Sequence, residues 1–454
     1  MPDLLAIAAE THPERPAVVF EGVAMSYSEL DAAASGFAAS LAALGVSSGD
    51  RVGLWSANSP DAVIALWGIP RAECTAVPLN TRLPAVQAQG LCRLATVELV
   101  LTDDPSIQLG TRTADLATLP SGPPLADAQP DGQAPLIVFT SGSRGGPKGV
   151  LLTSSNLEAS AKASGLHIGN DENDRWLVAL PLFHVGAIAV LWRAAMTGGA
   201  VALERSFDPG RVGEMLGPEA TVASLVPTML RRLLDAYPGR FDGVRAVLVG
   251  GGPVDMELLA RAVTTGLPAV ATYGMTEMAS QIATQPLGSE PESGLRLLQG
   301  VELRIGATQQ IEVKGPMLSP GYVGEATRDP NDWFSTGDRG VLDDDGALSM
   351  LGRADDVILS GGENVDPEVV EQALIGHPAV KDAGVFGVPD EEWGRLVVAA
   401  VVRGDQEVSA EELEDFSRER LAGFQIPRRW MFVPELPRDQ LGKLQRDSLG
   451  SNVL

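Results

Sequence analysis

The stretch LIVFTSGSRGGPKGV, residues 136–150, decides the class of fold. Its first four residues are apolar, as expected of a short buried strand. A turn with glycines at 142, 145, 146 and 149 follows. Glycine lets backbone N–H groups close in on phosphate oxygens. Hydroxyls on Thr140, Ser141 and Ser143 add donors, and Lys148 adds a compact positive charge. The P-loop of common nucleotide hydrolases needs Gly directly before its Lys and Ser or Thr directly after it. Here Pro147 precedes Lys148 and Gly149 follows, so a different phosphate-binding class is expected. A mobile Gly/Ser surface turn is the alternative; the strand before the turn and its Pro-Lys-Gly ending weigh against it.

Outward from this stretch, strand-like and helix-like segments alternate, which predicts an α/β fold with layered, parallel-type sheets. Upstream, Ser28-Glu-Leu-Asp is expected to open a helix that runs to Leu44. A strand from Asp50 to Trp55 and a helix from about Ser59 come next. Residues 119–135, rich in Pro and Gly, read as a surface connection. Downstream, Ser155-Asn-Leu-Glu158 has capping-box spacing and predicts a helix start. Two further strands end in loops: 246–249 runs into Gly250-Gly251-Gly252-Pro253, and 269–272 into Tyr273-Gly-Met-Thr-Glu277. Ligands in layered α/β folds gather at such strand ends. The last hundred residues change rhythm. Asp366-Pro367 and Ser409-Ala-Glu-Glu412 predict helix starts, separated by extended segments at 383–388 and 396–402. The expected organisation is a large domain over residues 1–353 and a small, mobile α+β domain over 354–454.

The 454 residues exceed what one ordinary core accommodates. A net charge of −25 argues against a nucleic-acid partner, although exposed charge is screened over about 8 Å and leaves small anions admissible. No apolar run reaches the about 18 residues of a membrane span; the best candidate, 178–203, contains His184 and Arg193. Residues 1–16 lack a basic n-region and a long apolar h-region, so no signal peptide is expected. The two cysteines, Cys74 and Cys92, fit neither a metal site nor a disulfide framework. These features point to a cytoplasmic protein acting on small molecules, with homo-oligomerisation left open.

Residues 140–150 resemble the phosphate loop of the adenylate-forming superfamily: acyl- and aryl-CoA synthetases, peptide-synthetase adenylation domains and luciferases. Arg144 departs from that pattern, where Thr or Ser is usual. Further motifs follow in the family's order. The resemblance implies that Gly250, Gly251 and Gly252 form the adenine-side loop, and that Tyr273, Gly274 and Met275 place an aromatic on adenine. It implies that Thr276 meets the α-phosphate and Glu277 holds Mg²⁺. Asp338, in Ser335-Thr-Gly-Asp338, and Arg353 would contact the ribose, with Ser141, Gly142, Ser143 and Lys148 on the phosphates. Asp355 corresponds to the hinge. Lys443, within 437–443, corresponds to the adenylation lysine, and Gly361-Gly362 to the coenzyme A tunnel. ATP, Mg²⁺ and coenzyme A are the implied substrates and cofactor.

A carboxylate attacking the α-phosphorus of ATP piles charge on phosphate oxygens, so positioning and electrostatic neutralisation carry such a step. Read singly, Asp338 is a turn former, Glu277 a solvated carboxylate, His184 a structural histidine and Lys443 a surface lysine. Their joint order supports acid–thiol ligation. Adjacent glycines after the hinge favour transfer to coenzyme A over a peptide-synthetase domain. Within the superfamily, the segments 78–83, 180–193, 248–259, 273–282 and 359–371 resemble the o-succinylbenzoate–CoA ligases of menaquinone biosynthesis. Residues 180–186 resemble the superfamily motif whose His or aromatic residue lines the acyl pocket, here His184, and in the o-succinylbenzoate group an arginine nine residues on helps to hold the second carboxylate, here Arg193. A partly exposed arginine at a helix end is the alternative for Arg193. Another aryl- or short/medium-chain acyl-CoA synthetase, or a nucleotide-binding relative impaired in catalysis, are the competing functions.

Overall fold

The computed structural model describes residues 3–104, 106–119, 135–140, 147–360, 363–390, 393–439, 442 and 444–450. The strand expected ahead of the glycine-rich turn is Leu136–Thr140, and a second strand, Lys148–Leu152, returns antiparallel to it with Thr140 opposite Lys148. Residues 141–146, with Ser141, Gly142, Ser143 and Arg144, lie outside the described residues. This pair joins the parallel strands Thr75–Pro78, Arg51–Trp55, Leu99–Thr102 and Arg112–Asp115. Fully buried Val77, Val100 and Ile137 knit one face of that sheet together, with Leu79 and Leu91 packed on them.

The chain divides into two units, Met1–Glu302 with Lys314–Trp333, and Leu303–Val313 with Phe334–Leu454. Among the described residues, the first unit also carries a nine-stranded sheet. Its parallel centre runs Ala269–Met275, Ala246–Val249, Val222–Leu225, Arg175–Val178, Ala200–Leu203, Pro16–Phe20. These strands are short apolar runs, as sheets covered on both faces require. The second unit contains an antiparallel sheet from Glu302–Ile305, Gln310–Lys314, Phe334–Leu342 and Leu348–Arg353. It also holds a three-stranded sheet from Val380–Asp390, Gly394–Arg403 and Arg429–Phe432. The helices Pro367–Ile375 and Ala410–Arg418 start at the expected caps, Asp366 and Ser409. Val370, Leu374, Val385, Val401 and Leu413 form one core of this unit. The layered α/β class expected from the sequence is borne out.

Two helix starts differ from expectation. The helix Tyr27–Ala43 is capped by Ser26, whose side chain accepts from Glu29 N while the Glu29 carboxylate accepts from Ser26 N. The helix Ser154–Ile168 is capped by Thr153 in a box with Asn156. In each case the working cap lies two residues before the predicted one. Ser26 and Thr153 keep the extended backbone a cap needs, at φ −74° and −86°, whereas Ser28 and Ser155 are already helical. The two cysteines are free and buried, as expected of thiols outside any disulfide framework. No helix among the described residues is long and apolar enough to cross a membrane.

Candidate active site

Two predicted glycine-rich strand ends meet in the first unit. Gly250 ends the strand Ala246–Val249, and a Cβ there would stand 2.7 Å from both the carbonyl oxygen and Cγ2 of Thr272. Only a missing side chain lets this loop lie against the strand that carries Tyr273. That strand does not stop at Thr272 as expected; Ala269–Met275 continues through Tyr273-Gly-Met and pairs with Ser280–Thr284. Gly274 packs so closely on its partner that a Cβ would lie 1.8 Å from Ser280 O. The connecting turn, Thr276–Met278, leaves Ala279 at φ +50° and Ser280 at φ +120°. Such conformations are costly for residues with side chains and persist only where the surroundings dictate them.

A buried polar zipper does so here. Ser160 donates to Ala279 O at 2.8 Å and Ser164 to Gln281 Oε1 at 2.6 Å. The Gln281 amide donates in turn to Thr272 and Thr284.

The Glu277 carboxylate is buried, at 8 % exposure, and accepts one hydrogen bond among the described residues, from the Tyr322 hydroxyl at 2.8 Å. An ionised carboxylate holds about four acceptor sites, and a lone neutral donor compensates little of its charge. The environment therefore fits a divalent cation that arrives with phosphates, since magnesium takes one or two carboxylates and completes its shell from phosphate and water. Among the described residues no cluster of three His, Cys, Asp or Glu could hold a metal alone. Lys148 lies on the other side of Tyr322, its Nζ 4.5 Å from the ring centroid and 3.8 Å from Glu325. Lys148 and Glu277, far apart in sequence, are thus brought to one aromatic residue.

His184 begins the helix Val185–Thr197. The preceding turn is pinned by buried Asn58, which donates to Leu180 O and accepts from Leu182 N. His184 Nε2 is buried with no hydrogen-bond partner among the described residues. Burial, aided by the charge of Arg82, pushes the imidazole down to about 4. Between pH 6.5 and 4 the unfolded chain binds a proton that the folded one refuses. Stability from this group is thus complete above pH 6.5 and declines toward pH 4, by up to about 3 kcal/mol. His184→Gln is expected to flatten the acid side of the stability profile. Urea midpoints at pH 7 and 4.5 that fall equally in both proteins would refute this.

Arg193 lies inside the same helix at 1 % exposure, so the alternative of a partly exposed helix-end arginine does not hold. No carboxylate pairs with it among the described residues. Nη2 donates to Ser280 at 3.1 Å, the guanidinium lies 5.4 Å from the Trp176 ring centroid, and Nε has no partner. Burial pulls it down to about 10, which still leaves it charged at neutral pH.

In the second unit, Asp338 and Arg353 face each other across an antiparallel pair, and Arg353 Nη1 donates to Asp338 at 3.0 Å. Asp355 falls in the short turn Ala354–Asp356. Gly361, Gly362 and Lys443 lie outside the described residues. Near Lys443, Arg438 donates to Gly442 O and to Asp382. Arg446 is held by Asp356 and Glu371, both at 2.7 Å. Burial pushes Glu371 up to about 7 against the pull of Arg446. The sequence reading missed Tyr322, Ser280 and this arginine hub. Only the Gly-Tyr pair before Val323 offered any local signal.

Residues 5–325 match the AMP-binding enzyme family, and residues 369–443 match the AMP-binding enzyme C-terminal domain. The chain belongs to the AMP-binding enzyme family. Over 477 aligned residues it is 37% identical to the 2-succinylbenzoate–CoA ligase of Bacillus licheniformis, covering 99% of each chain. The fold is similar to that of o-succinylbenzoate CoA synthetase from Bacillus subtilis in complex with its acyl-adenylate intermediate, with TM-score 0.91, 34% identity, and 99% and 98% of the two chains covered. The complex of that synthetase with ATP and magnesium ion gives TM-score 0.91 and 34% identity over 99% of each chain. The expected resemblance to adenylate-forming ligases is borne out.

Proposed function

We propose that this chain joins 2-succinylbenzoate (o-succinylbenzoate) to coenzyme A through an acyl-adenylate, releasing pyrophosphate and then AMP. The observation that carries the choice of acid is Arg193, a buried cation with no carboxylate partner among the described residues. An uncompensated buried charge is costly unless a ligand of opposite sign completes it. A dianionic acid brings one carboxylate to react and a second to pair with Arg193. His184, buried and neutral at pH 7, lines the apolar approach and adds no competing charge. End-to-end likeness to 2-succinylbenzoate–CoA ligases supports the same acid.

In the first half-reaction the reacting carboxylate oxygen bonds to the α-phosphorus, and the bond from that phosphorus to the pyrophosphate oxygen breaks. Lys148, Thr276 and Lys443 meet the negative charge on the phosphates. Glu277 holds magnesium, which when bound supplies further neutralisation of that charge. Thr140, Ser141, Gly142 and Ser143 cradle the phosphates. Gly250, Gly251, Gly252, Tyr273, Gly274 and Met275 form the adenine side, and Asp338 and Arg353 meet the ribose. In the second half-reaction the thiol sulfur of coenzyme A bonds to the acyl carbon, the bond from that carbon to the AMP phosphate oxygen breaks, AMP leaves with the electron pair, and the thiol proton is released to water. For this step residues 354–454 turn about Asp355, withdrawing Lys443 and bringing up Gly361 and Gly362. The cytoplasm supplies both ATP and coenzyme A.

Acyl-CoA formation across a panel of acids tests the assignment. 2-Succinylbenzoate is expected to give the highest kcat/KM. Faster turnover of benzoate or a medium-chain acid rejects the choice of acid. ATP binding without acid-dependent pyrophosphate–ATP exchange for any acid rejects the ligase itself.

A further inference from the structure

Tyr322 belongs to a two-residue edge strand, Gly321–Tyr322, that pairs with Lys148–Leu152 and places Tyr322 opposite Val150. Side chains two apart on a strand share a face, so Lys148 is the diagonal neighbour of Tyr322. This is why its ammonium rests over the ring. The opposite end of Tyr322, its hydroxyl, reaches Glu277 at 2.8 Å. The chain repeats the linkage three residues earlier. Ser319 N donates to Glu277 O at 2.7 Å, and Ser319 Oγ donates to Leu151 O at 2.7 Å. Residues 319–322 therefore bolt the Lys148 strand to the Glu277 turn twice, once through backbone and once through a side chain.

We propose that Tyr322 is a positioning residue that holds the Glu277 carboxylate in the orientation that receives magnesium while its ring sets the approach of Lys148. The proposal rests on Glu277 being the magnesium contact. The hydroxyl occupies Oε1 and leaves the other carboxylate oxygen without a hydrogen bond among the described residues. A tyrosine suits the position because it holds the carboxylate without adding a charge that would compete with the metal.

The test is calorimetric titration of ATP binding at graded magnesium concentrations, with the intact protein. Tyr322→Phe keeps the ring and loses only the hydroxyl. It is expected to raise the half-saturating magnesium concentration about tenfold. Its metal-free ATP affinity should stay within about twofold of wild type, because the cation–ring contact with Lys148 survives. Tyr322→Leu should weaken metal-free ATP binding as well. Glu277→Gln serves as the control for the underlying reading. An unchanged magnesium midpoint in Tyr322→Phe, with a shifted one in Glu277→Gln, overturns the role of Tyr322 and leaves Glu277 in place. An unchanged midpoint in both overturns the magnesium assignment and this proposal together. Equal loss of metal-free and metal-loaded binding in Tyr322→Phe also overturns it, because the hydroxyl would then serve the nucleotide site at large.

Discussion

Replacing Arg193 with methionine is expected to lower kcat/KM for 2-succinylbenzoate by about two orders of magnitude while leaving the folded protein as stable or more so. The two halves of this expectation have one cause. Arg193 is 1 % exposed, donates one hydrogen bond to Ser280, and pairs with no carboxylate among the described residues. Its desolvation is not offset by a carboxylate among the described residues, and burial pulls its basicity down to about 10. An apolar side chain of similar length removes that cost, and such replacements gain about 1–4 kcal/mol or are neutral. The cation is then missing when the acid's second carboxylate arrives, and an unpaired buried carboxylate costs several kcal/mol. Benzoate has no such group and should lose little. The decisive measurements are kcat/KM for both acids and thermal unfolding of the free protein. Equal losses for mono- and dicarboxylic acids, or a destabilised variant, would show that Arg193 supports the helix and not the substrate.

Lys443→Ala is expected to slow adenylation by about 10²–10³ and to change thioester formation from preformed adenylate by less than about threefold. The larger figure follows from removing one fixed cation from phosphate oxygens that gain charge in the step. Arg438 holds Gly442 O, and Arg446 is fastened to Asp356 and Glu371, so both flanks of the lysine are anchored within the second unit. The alanine variant should therefore leave these flanking contacts intact and lose the charge. Single-turnover quench experiments on each half-reaction separate the outcomes. Equal slowing of both steps would remove the assigned role and the swing of residues 354–454 with it.

Some of this was legible locally. The run 136–140 reads as a strand because four successive apolar residues have nowhere else to go in water. Gly250 and Gly274 read as glycines of the loops that follow two strands, but the structure assigns them a sharper reason. Each lies where a Cβ would strike a neighbouring strand, 2.7 Å from Thr272 O and 1.8 Å from Ser280 O. The helix caps show where local reading fails. Ser26 and Ser28 lie within 3.1 Å of each other at Oγ, as do Thr153 and Ser155 within 2.8 Å, and either hydroxyl could cap. The choice is made by where strand pairing stops: Ser26 still pairs with Pro16 and so keeps the extended backbone of a cap.

The sequence by itself determined the order of motifs, the layered α/β class and the residue types that meet phosphate, because these depend on backbone freedom and side-chain chemistry within a few residues. Tertiary structure alone decided which charges are left without partners. Arg193 meets Ser280 across 87 residues and Tyr322 meets Glu277 across 45. Whether a buried charge is satisfied depends on everything that packs around it, and no local pattern carries that information.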